Sequence, residues 1–252
     1  MPDPPRRIVC LCPSLTETLF ALGADDRIVG RTRYCIHPAD RVARAAIVGG
    51  TRSIRLDAVA SLEPDLIIAA KEENPRDVVE TLAERFPVYV VDVNGVDDAL
   101  HAIEDLGELL GAPARAAAMR RAVRVAFDRV HPLTPPVPAA FLIWCNPYMA
   151  AGRRTYVNAL MQRCGLDNVC AALPERYPVL RGIPLADLNP RVILLGTEPF
   201  PFDQSHADEL RRAVPSAAVR LVDGEMFAWY GARTIKAAPY LADLIQSLGS
   251  II

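Results

Sequence analysis

Leu62-Glu63-Pro64-Asp65-Leu66-Ile67-Ile68 and Leu188-Asn189-Pro190-Arg191-Val192-Ile193-Leu194 follow one pattern, a turn that feeds an apolar strand. A second pair follows it: Val88-Tyr89-Val90-Val91-Asp92 and Val219-Arg220-Leu221-Val222-Asp223. The offsets, 126 residues from 62 to 188 and 131 from 88 to 219, are those of a duplication with small insertions. Opening strands correspond as well. Arg7–Cys12 precedes a helix at Thr16–Leu22, and Ala140–Trp144 precedes one at Tyr156–Cys164. Each helix runs into a glycine, Gly23 or Gly165, as a left-handed cap prefers. Ser14 with Glu17 reads as a capping box at the start of the first.

Short strands alternating with helices predict parallel βα units. Between the two copies lie helices at Asp97–Leu110 and Ala114–Val130, separated by Gly111 and Pro113. The second spans about 17 residues, or ~25 Å at the usual rise. His131–Pro138 (HPLTPPVP) then cannot continue a helix and reads as a stiff extended connector. The expected fold is α/β: two Rossmann-like βα lobes joined by one long backbone helix, with a ligand cleft between the lobes. The expected boundaries are an N-terminal lobe at 1–112, the linking helix and Pro-rich connector at 113–138, and a C-terminal lobe at 139–252.

Composition narrows the function. The 252 residues carry 28 Lys and Arg against 30 Asp and Glu, a net charge of −2, which leaves no electrostatic footprint for nucleic acid. No apolar run approaches the roughly 18 residues that span a bilayer. The start MPDPPRRIVC lacks the apolar stretch and small-residue cleavage site of a secretory leader, so a cytoplasmic protein is expected, or a periplasmic one if a leader was removed. Six cysteines without a CxxC pair predict neither a disulfide scaffold nor a common zinc site.

In open α/β sheets, ligands gather outside the carboxyl ends of the strands. The loops there are therefore the candidates. After the strand at Leu66–Ala70 comes KEEN (Lys71, Glu72, Glu73, Asn74), and its duplicated counterpart is TEPFPF, with Glu198, Phe200 and Phe202. The loop after Val88–Asp92 has GEMFAWYG as its counterpart, with Glu225, Phe227, Trp229 and Tyr230. Ser14 follows the first strand, and Tyr148 lies in the equivalent loop of the second copy. GRTRYCIHP (30–38) adds Arg31, Arg33 and Tyr34. Carboxylates facing aromatics suit a cation, a metal chelate or a large planar ligand. Cys35 and His37, two residues apart, are a candidate metal pair or nucleophile–base pair. Of the other histidines, only His206 falls near these loops.

No Gly-rich phosphate loop, GxSxG elbow or HExxH helix occurs, so no catalytic residue is assigned and binding is expected rather than chemistry. The alternative is a cytosolic hydrolase or metal-dependent enzyme using Cys35, His37 and the cleft glutamates.

The combination RIVxLxPSxTE, LGxxxxIVG and LxPDLII resembles the bilobal, helical-backbone substrate-binding proteins of the vitamin B12, iron-siderophore and metal receptor type. GRTRYCIHP, KEEN, EPFPF and GEMFAWYG look closer to a cytoplasmic branch labelled helical-backbone metal receptor. The resemblance implies a small ligand held between two lobes: a metal ion, a metal chelate, or a cobalamin- or tetrapyrrole-type molecule. It leaves the cofactor unidentified, and a leaderless importer protein for vitamin B12 or iron-siderophore is a further alternative. Transport receptors of this kind carry a surface acid on each lobe that pairs with permease arginines. The matching positions here hold Arg76 and Ala228, and the positions of the corrin-packing aromatics hold Ala70 and Met226. These departures count against docking on a permease.

Overall fold

A computed structural model describes residues 3–250. The chain forms two compact units. The first comprises Met1–Val93, Asp97–Ala122 and Tyr230–Arg233, and the second Asn94–Val96, Val123–Trp229 and Thr234–Ile252.

Along the chain the first unit contains β1 (Ile8–Cys10), α1 (Pro13–Ala21), β2 (Ile28–Arg31), α2 (Ala39–Val42), β3 (Ala46–Ile47), α3 (Leu56–Ala60), β4 (Leu66–Ala70), α4 (Arg76–Ala83) and β5 (Val88–Val91). Then come α5 (Val96–Leu109) and α6 (Pro113–Phe127), whose last residues belong to the second unit. The sheet is wholly parallel, in the order β3-β2-β1-β4-β5. All five residues of β4 are buried, as expected of a central parallel strand covered on both faces. Alternate residues Val9, Leu11, Ile67 and Ala69 face one core with Val59 of α3 and Leu82 of α4.

The second unit contains β6 (Val137–Trp144), β7 (Met149–Ala150), α7 (Tyr156–Arg163), β8 (Leu166–Asn168), β9 (Val192–Gly196), α8 (Gln204–Ala213), β10 (Ala218–Val222), α9 (Gly224–Ala228) and α10 (Thr234–Gly249). Its sheet runs β10-β9-β6-β7, with β8 paired to the start of β6. The duplicated strands therefore hold matching places: β1-β4-β5 in one sheet and β6-β9-β10 in the other. One element departs from the parallel expectation. β7 returns antiparallel to β6 through a tight turn, pairing Leu142 with Ala150 and Trp144 with Met149. The proline-rich connector also ends sooner than its composition suggests, because β6 begins at Val137. Pro138 costs that strand a donor, and its carbonyl still accepts from the Arg191 amide at 2.8 Å.

The capping box expected at Ser14 and Glu17 does not form. Pro13 opens α1, Cys12 is its N-cap, and no side chain caps it. Proline is preorganised for the first helical position, which shifts the start one residue before Ser14. All residues from Pro13 to Phe20 are buried. The Thr16 and Thr18 hydroxyls donate to the carbonyls of Cys12 (2.9 Å) and Ser14 (2.8 Å), and Glu17 must find a cation.

It finds Arg233, whose Nε donates to Glu17 Oε2 at 2.7 Å. The segment Tyr230–Arg233 lies along α1, with the Ala232 amide donating to Thr18 Oγ1 at 3.0 Å. Gly231 has φ +87° there, and a Cβ on it would stand 2.1 Å from Thr18 Oγ1. Gly231→Ala is therefore expected to destabilise the protein by about 1–3 kcal/mol. Gly95→Ala, whose Cβ would meet only an ordinary 3.8 Å neighbour, is expected to change little. Urea denaturation midpoints of the two variants compared with wild type check this.

Candidate functional site

In the first unit the chain leaves β1 toward β2 on one side and later returns to β4 on the other. The carboxyl end of β1 is thus the switch point at which open α/β sheets receive ligands. Cys12 stands there, buried. Its Sγ donates to Glu73 Oε1 at 3.0 Å, lies 3.2 Å from Ser14 Oγ, and is 3.8 Å from the Tyr230 hydroxyl. Burial, reinforced by the negative charge of Glu73, holds the Cys12 thiol well above its ordinary pKa. Burial likewise raises the Tyr230 phenol. Both groups stay protonated and act as hydrogen-bonding groups.

Several residues expected as ligand contacts have hydrogen-bond partners within the protein. Asn74 is buried, its Oδ1 accepting from the Ala70 amide (2.8 Å) and its Nδ2 donating to the carbonyls of Leu11 (3.1 Å) and Thr51 (3.0 Å). It ties together the ends of two strands. Arg31 is also buried, donating to the carbonyls of Val42, Thr32 and Cys35. Its guanidinium satisfies backbone acceptors in the loop that follows β2 and at the end of α2. Ser14 is enclosed beside Cys12.

Cys35 and His37 do not share an environment. The Cys35 Sγ is fully buried between the hydroxyls of Thr16 and Thr32, each at 3.2 Å, and burial raises its pKa. His37 is only half-buried. Among the described residues, no group of three or more His, Cys, Asp and Glu side chains is arranged to hold a metal ion. The exposed side chains at this edge include Arg33, Tyr34 (52% exposed) and Lys71, whose Nζ pairs with Asp92 at 2.5 Å. Glu72 and Glu73 are half-buried. Arg76 begins α4 at the surface and pairs with Glu80.

In the second unit the loops after β9 and β10 touch closely. The Gly224 amide donates to Thr197 Oγ1 at 3.1 Å, and a Cβ on Gly224 would come within 2.5 Å of the Glu198 backbone nitrogen. Glu198 Oε2 accepts from the Trp229 indole at 2.7 Å, which holds a buried Trp229 against the loop. Phe227 is fully buried, its ring centroid 4.8 Å from that of Phe141, and belongs to the core. Glu225 is half-buried at the start of α9, where the Asp223 carboxylate caps its amide.

An exposed aromatic at this edge lies just outside the loops that the sequence singles out. Trp144, the last residue of β6, is 44% exposed and packs edge-to-face on Phe200 at 5.4 Å. Its signal in the sequence was its place: a tryptophan at the carboxyl end of the strand that opens the second copy. Tyr148, half-buried, lies in the turn after it and donates to Glu209 Oε1 at 3.2 Å.

The profile of the periplasmic binding proteins matches residues 8–216, most of the chain. The chain belongs to that family. The vitamin B12-binding protein of Pectobacterium carotovorum is 23% identical over 251 residues, 97% of this chain and 90% of its own. The cobalamin-binding protein of Halobacterium salinarum is 26% identical over 224 residues, 86% of this chain and 60% of its own. Among solved structures, the periplasmic vitamin B12 binding protein BtuF of Vibrio cholerae aligns with a TM-score of 0.83 at 21% identity, covering 98% of this chain and 99% of that one. The periplasmic heme-binding protein BhuT, solved with two hemes, aligns at 0.82 and 25% identity, covering 97% and 99%.

As a periplasmic binding protein, the chain is a substrate-binding protein of α/β architecture. No helix among the described residues is long and apolar enough to cross a membrane. The cytoplasmic placement expected from the opening residues draws no support from these relatives.

The loop that carries Phe200 is anchored by a charge. Asp203 caps α8, accepting from the Ser205 amide and hydroxyl (2.9 and 2.6 Å) and the His206 amide (3.3 Å), with His206 Nδ1 at 2.6 Å. These bonds lower its pKa from 3.8 to about 2. A carboxylate depressed on folding contributes stability above its unfolded pKa and loses it as pH falls through the folded value. Asp203→Asn is therefore expected to lower the thermal midpoint near pH 7, with the difference from wild type disappearing near pH 2. Thermal denaturation across that range checks it.

Proposed function

We propose that this chain binds a flat, metal-centred macrocycle of the corrin or porphyrin class, received in the second unit by the loops at the carboxyl edge of its sheet. The observation that carries this reading is Trp144, half exposed at the end of β6 and braced edge-on by Phe200. An indole held in this way offers a large apolar surface at little entropic cost, which suits a planar ligand. The names of the relatives, for vitamin B12, cobalamin and heme, support the same ligand class.

In the first unit, taken by itself, exposed Tyr34 and the cation of Arg33 stand at the corresponding edge, groups suited to ring contact and to an acid. The half-buried Glu72, Glu73, Glu198 and Glu225 supply the polar setting at the two edges. A metal that arrives inside a macrocycle needs no set of protein donors of its own, which favours a chelate over a bare ion.

A hydrolase built on Cys35 and His37 gains no support from the buried, protonated Cys35 thiol, since the thiolate is the nucleophile.

Titration with cyanocobalamin and with haemin, followed by tryptophan emission and ligand absorbance, is the test. Wild-type protein is expected to bind at least one of them with quenching, and Trp144→Ala to weaken that binding about tenfold. Absence of binding by both would overturn the reading.

A further inference from the structure

The aromatic face of the second unit has a support behind it that the ligand reading does not use. His206, on the first turn of α8, stands perpendicular to two phenylalanines: 5.3 Å and 87° to Phe200, 5.4 Å and 89° to Phe202. Those two rings lie 4.8 Å apart at 61°. The three rings form a closed triangle of edge-to-face contacts, a favoured geometry for aromatic pairs. Phe202 is buried in the core with Ala207 and Leu210 of α8, and so anchors the triangle. Phe200 is the half-buried corner and is the ring against which Trp144 packs.

The imidazole is fixed from its other side. Its Nδ1 lies 2.6 Å from Asp203 Oδ1 and 3.3 Å from the Asp203 amide. One nitrogen cannot donate to the first and accept from the second at once. The shorter contact to an ionised carboxylate takes the proton, so Nδ1 is the donor. Asp203 is itself immobilised by Ser205 and the start of α8. The neighbouring acids on α8 are engaged elsewhere, Asp208 by Arg211 and Gln204, and Glu209 by Tyr148. The His206 ring therefore cannot turn without breaking the Asp203 bond.

We propose that His206 is a positioning residue: clamped by Asp203, its imidazole sets the Phe200 ring against Trp144 and so fixes the orientation of the aromatic face. The consequence for binding rests on the reading above, in which that face receives a flat ligand. The positioning itself is a property of the ligand-free protein.

The chain has two tryptophans, one half-exposed and one buried, so iodide quenching separates Trp144 from Trp229. Two variants of the full chain divide the clamp: His206→Asn removes the ring and keeps a polar group, and Asp203→Ser keeps a good N-cap and removes the imidazole's anchor. Both are expected to change the iodide-accessible Trp144 emission while the buried component stays unchanged. A residue that only adds stability would lower the thermal midpoint and leave that signature alone. Both variants are also expected to bind haemin or cyanocobalamin about three- to tenfold more weakly. If either folded variant retains wild-type Trp144 quenching, the positioning role is overturned. If neither probe binds the wild type, the ligand reading falls, and the quenching of the ligand-free variants still decides the role of His206.

Discussion

A carboxylate within a helix buried on every side must meet a cation, and Glu17 meets one 216 residues away in the chain. Removing one partner of such a pair leaves a stranded charge, at a cost of about 3–5 kcal/mol. The pair thereby specifies where the turn before α10 goes. Tyr230–Arg233, flanked on both sides by residues of the second unit, belongs to the first. Gly231 permits the approach, Thr18 accepts the Ala232 amide, and Tyr230 arrives beside Cys12 at the end of β1. Tyr230 joins Cys12, Ser14 and Glu73 at that strand end on the segment that the ion pair holds.

Much of the fold was legible because it was written twice. Strands buried on both faces leave continuous apolar runs, and the turn residues before them recur in both copies, so β4 with β9 and β5 with β10 were recognisable as pairs. Gly23 and Gly165 fulfil their expected role, with φ of +86° and +71°. Local pattern misled where a stronger neighbour intervened. Ser14 and Glu17 have the spacing of a capping box, but Pro13 claims the first helical position, and Glu17 is engaged by a partner that no local window contains. The antiparallel β7 was likewise hidden, since two residues carry too little periodicity to announce a strand.

The candidate site was legible by place more than by residue. The sequence points to the strand-end loops, and the direction of each side chain within them is set by tertiary packing. Asn74 and Arg31 have the polarity of ligand contacts and spend it on backbone amides and carbonyls. Phe227 and Trp229 have the surface area of ligand contacts and spend it on the core and on Glu198. Trp144 shows the converse. It sits in a strand whose earlier residues are mostly buried, and its place at the end of β6 leaves it half exposed.

All six cysteines are buried and unpaired with one another. Burial raises the pKa of each, which disfavours the thiolate that oxidants and alkylating reagents attack. Thiol chemistry is therefore coupled to unfolding. A molecule that reacts with a maleimide has opened first, and the rate of that reaction measures how often each unit exposes its interior.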